Sequence, residues 1–117
     1  MTEAIYHMCR RDEWDAAEAS GSYHGSSQDK ADGFIHFSTA AQIRASARKH
    51  RAGQNDLVLL AVDPARLGAA LRWEPSRGGA LFPHLYGPLP LAAVTRADPL
   101  PLGGDGLHIF PPLGGDA

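Results

Sequence analysis

Three histidines fall in short apolar stretches far apart in the chain: His7 in Tyr6-His7-Met8, His36 in Phe34-Ile35-His36-Phe37, and His84 in His84-Leu85-Tyr86. An imidazole among such neighbours is costly to bury unpaired, so each demands a partner. Brought to one cleft by folding, the three would supply acid–base groups near neutral pH. The same trio would suit zinc, which takes three imidazoles readily. No pair has the H-x-x-x-H spacing of a helical metal site, and no carboxylate motif accompanies them. Ser38 and Thr39 follow His36 where a strand should pass into a helix, whose first N–H groups are open to an anion.

Arg72-Trp73-Glu74 forms a second cluster. In a strand Arg72 and Glu74 share a face and Trp73 takes the other. That face could grip a phosphate and a hydroxyl, or hold only a solvated ion pair of little worth. Arg77-Gly78-Gly79 reads either as an anion-binding loop or as a plain turn. Cys9 lies beside Arg10 and Arg11 and close to His7, but nothing else resembles a Cys-His-Asn arrangement. Ser38 lacks the G-x-S-x-G elbow, and no G-x-G-x-x-G or Walker sequence occurs, which excludes the ordinary hydrolase and nucleotide folds.

The elements that must position these residues can be read from pattern. Residues 4–8 suit a first strand. Asp12 can cap a short helix through Trp14 and Ala17 that Gly21 ends. Residues 20–32 are polar and read as a long loop or a hairpin of weak strands. Residues 33–37 suit a second strand, and Thr39 with Gln42 forms a capping box that opens a helix to about His50. Leu57 to Val62 is an unbroken apolar run of strand length, fit for a centre buried on both faces. Short strand candidates follow at 71–74, 82–86 and 91–95. The pattern predicts an α+β domain over residues 1–98, with a mixed or antiparallel sheet and two main helices. The Pro/Gly-rich tail over 99–117 should be ordered only in part.

With 117 residues and 44% hydrophobic content, the chain has enough for one packed core. Eleven Lys and Arg against thirteen Asp and Glu leave a net charge of −2, which argues against a general nucleic-acid binder but not against a small anion held by one or two arginines. A single cysteine excludes a disulfide framework and a cysteine zinc site. The absence of an apolar signal core and of any run of membrane-spanning length points to the cytoplasm.

Taken together, I-Y-H-M, G-F-I-H-F-S-T-A-A-Q, L-V-L-L-A-V-D-P, R-W-E-P and F-P-H-L-Y-G-P-L-P-L-A-A-V resemble a bacterial family known as domain of unknown function 952, over about residues 4–95. That family is similar in fold to the ADP-ribosyltransferases, which implies two small sheets split around an NAD cleft. Its nearest functional comparison is the RNA 2′-phosphotransferases, which also use NAD. The resemblance implies that His7 takes the place of the first-strand residue holding the NAD ribose, and that His36, Phe37, Ser38 and Thr39 match the second-strand segment. Where many transferases carry a glutamate, this chain has His84 with Tyr86 close by, and Glu74 is the nearest carboxylate. That departure points away from classical protein ADP-ribosylation and toward a phosphate-bearing acceptor.

The expectation is therefore an NAD-using transferase with His7, His36 and His84 as its chemical groups. Tyr6, Phe37, Ser38, Thr39, Arg72, Glu74 and Tyr86 would bind the cofactor. A nucleotide- or anion-binding module without turnover is the alternative from the same pocket. A metal-dependent enzyme using the three histidines is another, and a domain whose tail docks on a partner is the last.

Overall fold

Leu57–Val62 buries all six of its residues, and the rest of the molecule is arranged around it. The computed structural model describes residues 3–76 and 79–113; the turn or anion-loop reading of Arg77 and Gly78 lies outside these. In chain order the elements are β1 (Ile5–Arg10), α1 (Arg11–Ser20), β2 (Ser22–Tyr23), α2 (Ser27–Asp32), β3 (Ile35–His36), β4 (Ser38–Thr39), α3 (Ala40–His50), β5 (Leu57–Val62), β6 (Leu71–Pro75), β7 (Leu81–Leu85), β8 (Leu89–Pro90) and β9 (Val94–Leu100). Short 3-10 turns at Pro64–Arg66, Gly68–Ala70 and Leu91–Ala93 link the later strands.

The strands form a four-stranded sheet of order β4-β1-β5-β9, a two-stranded β2-β8 pair and a three-stranded sheet of order β3-β7-β6. Every pairing is antiparallel. Alternation along β5 explains the two cores. Val58, Leu60 and Val62 point one way, joining Ile5, Cys9, Trp14, Tyr23, Ile35, Phe37 and Leu85. Leu57, Leu59 and Ala61 point the other way and join Tyr6, Ile43 of α3, and Leu113. The smaller sheets and α1 therefore cover one face of the large sheet, and α3 with the C-terminal segment covers the other.

Two expectations need correction. The run from Gly33 to Phe37 is not one strand. Ile35–His36 pairs with β7, whereas Ser38–Thr39 pairs with β1 in the large sheet. Phe37 is the crossing point, and its N–H donates to the Pro83 carbonyl at 3.0 Å. Second, the polar stretch over 20–32 holds the two-residue strand β2 and a third helix, α2, rather than a loop or a hairpin. Ser26 caps that helix by accepting from the Asp29 N–H, Asp29 reaches back to the Ser26 N–H at 2.7 Å, and Gly33 ends it in the left-handed region at φ 86°. The described part of the C-terminal segment runs to Leu113: β9 extends to Leu100, the Ile109 N–H donates to the Pro101 carbonyl, and Leu113 is buried.

Among the described residues no helix is long and apolar enough to cross a membrane.

Candidate functional site

The β6–β7–β3 sheet sets the site by register. Leu71, Leu85 and Ile35 lie in one cross-strand row and pack into the core. The next row is Arg72, His84 and His36, and a shift of one residue turns it to the opposite, outer face. Glu74 lies two residues from Arg72 on one side of that row and Tyr86 two residues from His84 on the other, and the Tyr86 side chain reaches back to Glu74.

His84 is held on it by a hydrogen bond and by stacking. Its Nδ1 donates to Glu74 Oε1 at 2.9 Å, and the Tyr86 hydroxyl donates to the same oxygen at 2.6 Å. The two hydrogen bonds, Tyr86 first and His84 second, hold the Glu74 carboxyl below its ordinary range, and the bond to Glu74 raises the Tyr86 phenol. Phe34 stacks on the His84 ring with centroids 4.2 Å apart and leans on Tyr86 at 5.2 Å. Arg72 lies over the Tyr86 ring at 5.3 Å. His84 is itself buried, at 9% exposure, and its Nε2 has no protein partner among the described residues. One nitrogen is oriented and the other is available, which is the geometry of a general base.

His36 sits beside His84 with ring centroids 5.5 Å apart. Each of its nitrogens faces a carboxylate: Nδ1 is 2.5 Å from Asp29 Oδ1, and Nε2 is 3.1 Å from Asp32 Oδ2. Asp29 is the hinge of the arrangement. It is 3% exposed, it accepts from the backbone N–H groups of Ser26 and His36, and its Oδ2 lies 3.5 Å from His7 Nε2. Burial alone would raise its carboxyl; the His36 bond, the His7 ring and those N–H groups overcome burial and bring it to about 2. Gly25 makes room for it: a Cβ there would lie 2.7 Å from the Asp29 Cβ, and the φ of 99° suits glycine.

His7 lies beneath. It is 3% exposed, Nδ1 is 2.6 Å from the His36 carbonyl, and Nε2 is 2.6 Å from the Tyr23 hydroxyl. A carbonyl can only accept, so Nδ1 carries the proton and Nε2 accepts from Tyr23. Burial lowers the His7 pKa despite Asp29, which favours this neutral form. The three imidazoles thus meet as a file from core to surface, not as a ring around a hollow.

The sequence profile of the family described as "Protein of unknown function (DUF952)" matches residues 8–97. This chain belongs to that family. Solved structures agree. The crystal structure of protein CC0527 from Caulobacter crescentus is 52% identical, with 91% of this chain and 93% of that one covered and a TM-score of 0.87. The solution NMR structure of CC0527 is 53% identical over 89% of this chain and 90% of that one, with a TM-score of 0.80. A search of the curated proteins finds no match. The likeness to ADP-ribosyltransferases expected from the sequence has no support from these matches.

Within this DUF952 chain the expected site residues divide. His36, His84, Arg72, Glu74 and Tyr86 come together on the outer face. His7 and Phe37 lie under it, 5.5 Å apart, and reach no surface ligand. Tyr6 points to the opposite side of β1, where it lines a cavity of about 150 Å³ with Leu59 and Ala61. Ser38 is buried and 3.0 Å from Ser46 of α3, and Thr39 is spent as the cap of that helix. The strand-to-helix junction therefore stands apart from that outer face, because the chain changes sheets between His36 and Ser38.

The zinc reading also fails on its donor set. Both His7 nitrogens are bonded, both His36 nitrogens face carboxylates, and among the described residues no three His, Cys, Asp or Glu side chains are grouped to hold a metal. Cys9 is buried, and burial pushes its thiol up to about 12, far from a reactive thiolate.

Sequence reasoning missed Asp29, Asp32, Tyr23 and Phe34. The Ser26-x-x-Asp29 capping pattern pointed to Asp29, and Phe34 stands two residues from His36, the strand period.

Proposed function

We propose that the outer face of β3-β7-β6 binds a nucleotide, with NAD as the candidate, and that His84 moves a proton there under the orientation of Glu74. The observation that carries this reading is the state of His84, with Nδ1 held by Glu74 and Nε2 open beside two aromatic rings. The surroundings suit NAD in two parts. Two carboxylates (Asp32 and Glu74) with the Phe34 and Tyr86 rings favour a cationic aromatic ring and ribose hydroxyls. Arg72 has no salt bridge among the described residues and can take the diphosphate.

NAD would supply an activated glycosidic bond to nicotinamide; the protein would orient the acceptor and remove its proton at His84 Nε2. An ADP-ribosyl or 2′-phosphotransferase-like reaction, an ADP-ribosyltransferase-like architecture and a cytoplasmic setting belong to this proposal. The hairpin brings Glu74 against His84, which supports it where the order of residues did not.

Calorimetry with NAD, ADP-ribose, AMP and nicotinamide, together with an assay for released nicotinamide, tests it. Binding of NAD by the wild type, weakened at least about tenfold in His84→Ala and Arg72→Ala, is expected. No heat at millimolar NAD and no nicotinamide would overturn it. Binding without release would leave the non-catalytic module.

A further inference from the structure

We propose that β6 is a self-complementary edge, and that two copies of this chain pair through it across a two-fold axis at Trp73. β6 ends the three-stranded sheet, with β7 on one side only. The side that β6 presents to β7 is set by its hydrogen bonds. The Tyr86 N–H donates to the Ala70 carbonyl at 2.8 Å, and the Ser76 N–H to the Ala80 carbonyl at 2.9 Å. Antiparallel ladders alternate, so Arg72 and Glu74 also turn their backbone groups to β7, and Trp73 turns its N–H and C=O to the open edge. Trp73 is also 46% exposed, unusual for so large a side chain.

Charge selects the register. With Trp73 opposite its own copy, Arg72 faces Glu74 of the second copy twice over, and the indole rings meet on the other face. Sliding by two residues in total puts Glu74 opposite Glu74, or Arg72 opposite Arg72, which like charge disfavours. Both charges are ready for such a partner. Among the described residues Arg72 makes no salt bridge, and Glu74 spends only Oε1 on His84 and Tyr86.

The ladder itself is short. Pro75 has no N–H, and the Leu71 N–H is taken by the Gly68 carbonyl, leaving Trp73 as the reciprocal pair. Proline and charge on an edge strand are also how proteins block unwanted pairing. The two readings differ in what a charge exchange does. Pairing would also bring Arg72 of the second copy beside Glu74, adding a cation at the edge of the His84 strip.

Sedimentation equilibrium from micromolar to millimolar protein reads the outcome. The wild-type mass should rise from 12.5 kDa toward twice that value. R72E and E74R should each stay at the monomer mass. An equimolar mixture of the two, and the R72E/E74R double variant, should regain the heavier species, because Arg again meets Glu. W73S, which leaves the His84 contacts intact, should also be monomeric, and thermal melts establish that each variant is folded. A wild type that stays monomeric at millimolar concentration, or a heavier species that persists in R72E and W73S, overturns the proposal and leaves β6 a blocked edge.

Discussion

His7 and His84 are the same side chain on neighbouring strips of one fold, yet they do opposite work. His7 has 3% exposure and both nitrogens spent on its own chain; His84 has one nitrogen spent and one left open. The difference is in partners, since both residues are buried, at 3% and 9% exposure. In the core an unpaired nitrogen costs folding free energy, so packing satisfies both. On the β3-β7-β6 sheet the second His84 nitrogen has no protein partner among the described residues, which leaves it for a ligand. The first histidine should therefore report on stability and the second on binding.

The largest effect should come from His7→Ala. It strands the Tyr23 hydroxyl and the His36 carbonyl and opens a cavity, costing about 4 kcal/mol in urea unfolding. If His7→Ala is as stable as the wild type while His84→Ala unfolds, the comparison is broken.

Next in size is the response to acid. The His7 pKa is lowered by folding, so below about 6.5 the unfolded chain takes up a proton that the folded chain refuses, and stability falls. The Asp29 carboxyl lies at about 2 against an ordinary 3.8, so its contribution is complete above that ordinary value and is lost as pH falls toward 2; the gap is worth about 2 kcal/mol. Unfolding midpoints measured from pH 8 to pH 2 should thus fall in two stages. His7→Gln removes the first stage and Asp29→Asn the second. A midpoint flat across this range would show that neither group is held as described.

His84→Ala, which also removes a buried ring stacked on Phe34, should lower the unfolding midpoint by less than His7→Ala does while slowing any turnover by about a hundredfold or more. Glu74→Gln sharpens the point. It keeps the fold but loses the charge that orients Nδ1, so a change in the pH profile of binding, with the melting temperature unmoved, is its expected signature. Tyr86→Phe is the smallest perturbation. It removes one donor from an exposed carboxylate that keeps His84, so a slight loss of ligand affinity and no change in melting temperature are expected.

Much of this was legible in the chain. The buried run Leu57 to Val62, the α3 start at Thr39 with Gln42, and the end of α1 at Gly21 follow from local pattern, and each stands where the pattern puts it. The shared face of Arg72 and Glu74 was also legible, because strand alternation is local. The helix α2 was harder to read. Its six residues have no apolar periodicity, and Asp29 is held by His36 and His7 from other elements. The sheet change at Phe37 left no local mark, since Ile35 and Phe37 alternate as one strand would.

By itself, the order of residues determined that this is an α+β domain of the DUF952 family and that His36, His84, Arg72 and Glu74 are candidates for chemistry. Periodicity and short motifs act over a few residues, and those distances are written in the chain. Only the tertiary structure decided that His7 is a structural link, that Ser38 and Thr39 serve α3, and that Glu74 orients His84. Those roles depend on depth and on partners from distant segments, and long-range packing alone fixes both.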